Sequence, residues 1–183
     1  MFNIKRKNKN EEKIYSPAIG EVIPISEVND AMFANKLLGD GVGIILEDDL
    51  LCSPCDGTIS MIAVTKHAIG LTSAIGAEII IHVGLDTVNL NGKGFEVLVK
   101  ENQKVKVGDP ILKVDRVFME SKNIDLTTPM IVTNCSSFNV SIVQDKKRIT
   151  YKDELLTILK WESWGEASLW KSLKTLTIIH LFV

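Results

Sequence analysis

The chain has 183 residues, 45% of them hydrophobic and 24% charged, with a formal net charge of −2. That profile belongs to a globular protein long enough to bury a core without covalent staples, and its slightly acidic balance excludes a surface built to neutralise nucleic-acid phosphates. Three cysteines are an odd number and too few for a disulfide framework, so a reducing compartment, the cytoplasm, is expected.

Residues 1–13 read as a flexible polar leader. The basic stretch at 5–9 runs into Glu11 and Glu12 instead of the apolar run of a secretory signal, so it reads as a solvated terminus. Residues 14–160 carry dense strand and turn signals and are predicted to form one domain. Only 30–38 suggests a short helical turn, with Phe33, Leu37 and Leu38 at helical spacing. Turn punctuation recurs at Ser16-Pro17, Gly39-Asp40-Gly41, Cys55-Asp56-Gly57, Asn91-Gly92, Gly108-Asp109-Pro110 and Thr128-Pro129. Between these lie apolar runs of strand length at 43–46, 79–83 and 130–133, suited to strands covered on both faces. Val105-Lys106-Val107 alternates inside and outside, and 111–114 continues the pattern after a turn. Many short strands with regular turns predict an all-β domain, a sandwich or a barrel. Residues 161–183 differ in composition and hold all three tryptophans; Leu169, Trp170, Leu173 and Leu176 fall on one face if the tail is helical. No run approaches the roughly 20 apolar residues of a membrane span, and no function is assigned to this tail.

The chemistry concentrates near the middle of the chain. Alternation along 77–83 puts Ala77, Ile79, Ile81 and Val83 on one strand face and Glu78, Ile80 and His82 on the other. His67 lies 15 residues upstream (82 − 67), a distance that suits neighbouring antiparallel strands whose rings face each other. Thr65, two residues before His67, is expected on the same strand face with its hydroxyl orienting that ring. An imidazole is largely neutral and nucleophilic near pH 7, and a second ring can donate an N–H to a phosphoryl oxygen while apolar neighbours exclude water. The same residues also suit two structural histidines, or half of a zinc site that needs a further ligand. Residue chemistry permits phosphoryl transfer without selecting it.

The wider pattern is more specific. Residues 76–88, a glycine and three apolar residues before His82 followed by Val83-Gly84-Leu85-Asp86-Thr87-Val88, resemble the active-site signature of the glucose-class enzyme IIA of the bacterial sugar phosphotransferase system. The segments 33–41, Pro54-Cys55-Asp56-Gly57-Thr58-Ile59, 65–70, 105–109 and 128–134 resemble further family segments, so the likeness runs from about 14 to 160. It implies an antiparallel β-sandwich of the duplicated hybrid motif type. It also implies a cytoplasmic phosphotransferase component that needs no metal or cofactor, takes a phosphoryl group from phospho-HPr and passes it to a cysteine of a IIB permease domain. By position, His82 resembles the phosphorylated histidine, reacting through Nε2 with Nδ1 held by the Gly84 carbonyl. His67 resembles the residue that steadies the group, and Thr65 the one that orients it. Ala31, Met32, Phe33, Leu37, Leu38, Ile80 and Val88 fall where the family has an apolar docking collar. Asp30 and Asp86 fall where acidic groups meet HPr. Family members also regulate other proteins through the state of this histidine.

Two departures stand out: Cys55 replaces a more usual apolar residue, and Ala63 a bulky aromatic. Cys52-Ser53-Pro54-Cys55 looks like half of a redox or zinc motif, but it precedes an Asp-Gly turn and lacks a second cysteine pair. A zinc peptidase of related architecture would want a His-x-His pair, and position 80 is Ile80. A biotinyl or lipoyl carrier would need a lysine displayed at a hairpin tip, and none stands out.

Overall fold

The structure is a computed structural model and describes residues 9–143 and 147–161. The tail helix considered for 167–177 therefore lies outside the described residues. Fourteen short strands dominate: β1 (Glu11–Tyr15), β2 (Gly20–Pro24), β3 (Asp40–Leu46), β4 (Leu50–Cys52), β5 (Gly57–Ile62), β6 (Ala68–Ser73) and β7 (Glu78–His82) in the first half. The second half adds β8 (Phe95–Val97), β9 (Lys104–Val105), β10 (Pro110–Val114), β11 (Thr127–Val132), β12 (Phe138–Ile142), β13 (Arg148–Ile149) and β14 (Glu154–Lys160). Two short helices accompany them, α1 (Ala31–Ala34) and α2 (Arg116–Ser121).

The pairings are antiparallel and build one eight-stranded sheet, in the order β13-β2-β3-β11-β7-β6-β5-β9, and two three-stranded sheets, β1-β14-β12 and β4-β10-β8. All three contribute to one buried core, with Ile44, Ile79, Ile81 and Met130 from the large sheet, Ile14, Leu156 and Ile158 from the second, and Leu51, Ile111 and Leu112 from the third. This is the sandwich that the resemblance implied, one of the two all-β forms that the turn spacing left open. Each such side chain contributes roughly 1.5–3 kcal/mol by leaving water.

The other face of the large sheet is built differently. Period-two alternation turns Ile80 and His82 of β7 away from the main core, together with Ile131 of the adjacent β11. Here Ile25, Val28, Phe33, Leu85 and Ile131 form a second, small cluster, with Ile23 and Ile80 packed against it. Gly43 makes this close seating feasible: a Cβ there would fall 2.7 Å from Val28 Cγ2 and 2.9 Å from Ile23 Cγ1. The 3-10 turn at Ile25–Glu27, with Val28 at its end, thus rests close on β3, and α1 packs against that turn.

Three local expectations need correction. Strand β1 begins at Glu11, within the stretch expected to be leader, because Glu11 through Tyr15 pair with the last strand, Glu11 opposite Leu159. Of the 105–107 run only Val105 is strand, at the end of β9; Val107 lies in the following turn, its N–H donating to Asp56 Oδ1 at 2.9 Å. Helix α2 was not foreseen; Asp115 caps it by accepting from the Phe118 N–H at 2.9 Å, and Met119 is its buried residue.

Candidate active site

The β6–β7 hairpin puts Ala68 opposite His82, and the Val83 N–H donates to the His67 carbonyl at 2.7 Å. That register brings the imidazoles together, ring centres 4.7 Å apart and planes at 73° in an edge-to-face arrangement. Thr65 Oγ1 sits 2.6 Å from His67 Nδ1. The expected contact is therefore present, but strand alternation is not what makes it. Residues 63–67 form a tight turn, closed by Lys66 N–H to the Ala63 carbonyl at 2.7 Å, with Lys66 at φ +59°. When the hydroxyl donates to Nδ1, His67 carries its proton on Nε2 and is a donor there.

His82 is held by packing. The Phe33 ring lies 5.2 Å from its own, tilted by 60°. Burial pushes its pKa below the ordinary value of 6.5, and the neighbouring His67 adds to this; the Gly84 backbone, Asp30 and the backbone of His82 itself act in the opposite direction. Burial likewise lowers His67. Both rings are thus biased toward the neutral form. Gly84 acts favourably on the protonated ring, yet the buried Nδ1 of His82 has no partner at hydrogen-bond geometry. The hold by the Gly84 carbonyl that the resemblance implies is an electrostatic influence here and not a formed bond.

Around the pair, Ala31, Met32, Leu37, Leu38 and Val88 are exposed, Leu37 most of all at 66%, and Ile80 is half-buried. Phe33 differs from this collar. It is only 4% exposed, is a member of the small cluster and faces the His82 ring, so it has little surface to offer a partner. Asp86 is exposed, with φ +57°, at the head of the 3-10 turn Thr87–Leu90. Asp30 is half-buried and caps α1, its Oδ1 accepting from the Met32 N–H at 2.8 Å. It is not the merely solvated aspartate that an isolated turn residue suggests.

Thr87 stands in the 76–88 segment, where neither residue chemistry nor the resemblance gives it a role. It is fully buried, its hydroxyl 2.7 Å from the Val83 carbonyl and 3.4 Å from that of Gly84. Thr128, also fully buried, accepts from the Gly84 N–H at 3.4 Å. Elsewhere Cys52 and Cys55 are buried, and burial pushes the Cys55 thiol up to about 12, far from a reactive thiolate. Among the described residues, no helix is long and apolar enough to cross a membrane.

Comparison with known proteins supplies the family. The model of the family described as phosphoenolpyruvate-dependent sugar phosphotransferase system, EIIA 1, matches residues 12–138. Among solved structures, the glucose permease IIA from Mycoplasma capricolum superposes with a TM-score of 0.73 at 31% sequence identity, covering 86% of this chain and 99% of that one. The chain accordingly belongs to the EIIA 1 family of the phosphoenolpyruvate-dependent sugar phosphotransferase system, and is a phosphotransferase component that relays a phosphoryl group for sugar transport.

Proposed function

We propose that the relay runs through His82 Nε2, with His67 steadying the transferred group and Thr65 orienting His67. The observation that carries this reading is the edge-to-face histidine pair at 4.7 Å with Thr65 Oγ1 on His67 Nδ1 at 2.6 Å. The Nε2 lone pair of a neutral His82 attacks phosphorus on a donor phosphohistidine. The donor N–P bond breaks, its electron pair returns to the donor ring, and the phosphoryl group becomes a phosphoramidate of His82. In the second step an acceptor thiolate attacks the same phosphorus and the His82–P bond breaks in turn. His67 Nε2–H donates to a phosphoryl oxygen as charge develops, which is electrostatic stabilisation in a site where the apolar surroundings limit water.

The donor in this reading is HPr and the acceptor a cysteine of a IIB domain, both met in the cytoplasm. Ala31, Met32, Leu37, Leu38, Ile80 and Val88 supply the apolar docking surface, and Asp86 and Asp30 the acidic groups that meet a basic donor. Other proteins that sense the phosphorylation state of His82 would use the same face.

The test is incubation with phosphoenolpyruvate, enzyme I and HPr, followed by assay for acid-labile, base-stable phosphate. Wild-type chain is expected to be labelled and His82→Gln to stay unlabelled; label on that variant would overturn the assignment.

A further inference from the structure

We infer that Thr87 is a positioning residue for the relay, setting through the Gly84 carbonyl which nitrogen of His82 carries the proton. The inference rests on His82 being the phosphorylated residue. Attack through Nε2 requires the lone pair on that atom, hence the neutral tautomer with its proton on Nδ1. In the resting chain Nδ1 is buried without a formed hydrogen bond. Two backbone groups act on the ring, that of Gly84 first and that of His82 itself last; Gly84 lies in the adjoining turn, and the direction of its carbonyl biases the tautomer.

Thr87 fixes that direction in two ways. Its single hydroxyl proton serves the Val83 carbonyl at 2.7 Å as the strong arm, leaving the Gly84 carbonyl at 3.4 Å only a weak one. The Gly84 oxygen is steadied while keeping a lone pair for the ring. The methyl group of Thr87 acts on the other side: a Cβ at position 84 would fall 2.7 Å from Thr87 Cγ2. Gly84, at φ +70°, is therefore seated directly against that methyl, in a conformation that favours glycine. The hydroxyl is fully buried, and a buried hydroxyl spent on two consecutive carbonyls beside the reacting ring is a specific use of a polar group.

The other charged or titratable groups acting on His82 are His67, from the turn before β6, and Asp30, from the cap of α1. Neither is contacted by Thr87 in the hydrogen bonds described, so a Thr87 substitution isolates the Gly84 route. Thr87→Val keeps the shape and removes the hydroxyl; Thr87→Ser keeps the hydroxyl and removes the methyl.

The experiment combines nitrogen-15 NMR of the His82 ring with labelling rates from phospho-HPr across pH 5.5–8. The parent protein is expected to show the Nδ1–H tautomer as the major neutral form. In Thr87→Val the Nε2–H form should gain, the His82 titration should move to lower pH, and labelling should slow on the order of tenfold. Thr87→Ser, which keeps the hydroxyl arm and loses only the methyl, should stay closer to the parent tautomer and pH profile than Thr87→Val. Three results overturn the proposal: a parent ring that is mainly Nε2–H (measurable with no variant at all), a Thr87→Val protein with the parent tautomer and pH profile, or a Thr87→Ser protein as impaired as Thr87→Val. Failure of the nucleophile reading looks different, because then His82→Gln itself becomes labelled.

Discussion

The two histidines lie with ring centres 4.7 Å apart, yet the chain holds them by opposite means. His67 sits in a tight turn and is fixed by a polar contact, Thr65 Oγ1 on its Nδ1. His82 closes a strand and is fixed by apolar ones, above all the Phe33 ring, with its Nδ1 left unbonded. A ring fixed through Nδ1 presents Nε2 as a donor, which suits an oxygen-steadying role. A ring buried against an aromatic face is kept neutral, which suits a nucleophile. In the proposed relay the two supports match the two roles.

The largest expected effect breaks the pair outright. His82→Gln should lose all labelling from phospho-HPr, whereas His67→Gln should still accept phosphate but pass it to IIB at least about 100-fold more slowly, the cost of one stabilising donor. Equal behaviour of the two variants in both half-reactions would erase the proposed division of roles. Removing the apolar support comes next. Phe33→Ala should lower the unfolding free energy by about 3 kcal/mol in denaturant melts, and wetting the ring should raise the His82 titration toward its ordinary 6.5. An unchanged midpoint would show that Phe33 does not shield the ring.

Removing the polar support is a milder change. Thr65→Val should cost about 1 kcal/mol of transition-state stabilisation, roughly fivefold in transfer to IIB, the worth of one hydrogen bond. It should leave the His82 titration where it was; a shift as large as that of Phe33→Ala would mean the two supports are not separate. The smallest effect is on stability against pH. Both folded-state pKa values lie below the unfolded 6.5, so the unfolded chain takes up protons first as pH falls. Their contribution is complete above about pH 6.5 and is lost on the way down to the folded values. The melting temperature should therefore fall between pH 7.5 and 5.5, and His82→Gln should fall less steeply.

Much of this was legible in the sequence because it follows from period two. Alternation along 77–83 correctly separated Ile79 and Ile81 from Ile80 and His82, and the 15-residue spacing of the histidines suits the hairpin that pairs Ala68 with His82. What was missed depends on partners distant in sequence or on conformations the residue type does not announce. Strand β1 is polar at Glu11, Glu12 and Lys13, and only its pairing with the far end of the chain makes it a strand. Thr65 reaches His67 because Lys66 adopts a positive φ, which nothing in a lysine predicts. Helical spacing grouped Phe33 with Leu37 and Leu38, yet it is Phe33 alone of these that turns inward onto the His82 ring. Thr87 belongs to the 76–88 segment, but its residue type alone does not show that its hydroxyl is buried.

The small cluster under the site has a thermodynamic consequence of its own. From Ile25 to Leu37 the backbone hydrogen bonds described outside strands are local, such as Asp30 N–H to the Val28 carbonyl and Leu37 N–H to that of Met32. The segment adheres through three buried side chains of its own, Ile25, Val28 and Phe33, packed with Leu85 and Ile131 apart from the many that lock the main core. Its opening free energy is correspondingly lower than that of the whole domain, so its amides should exchange with deuterium well before those of β7 and β11. The docking face proposed for this segment could then refit itself to successive partners of different shape while the strand bearing His82 keeps its register.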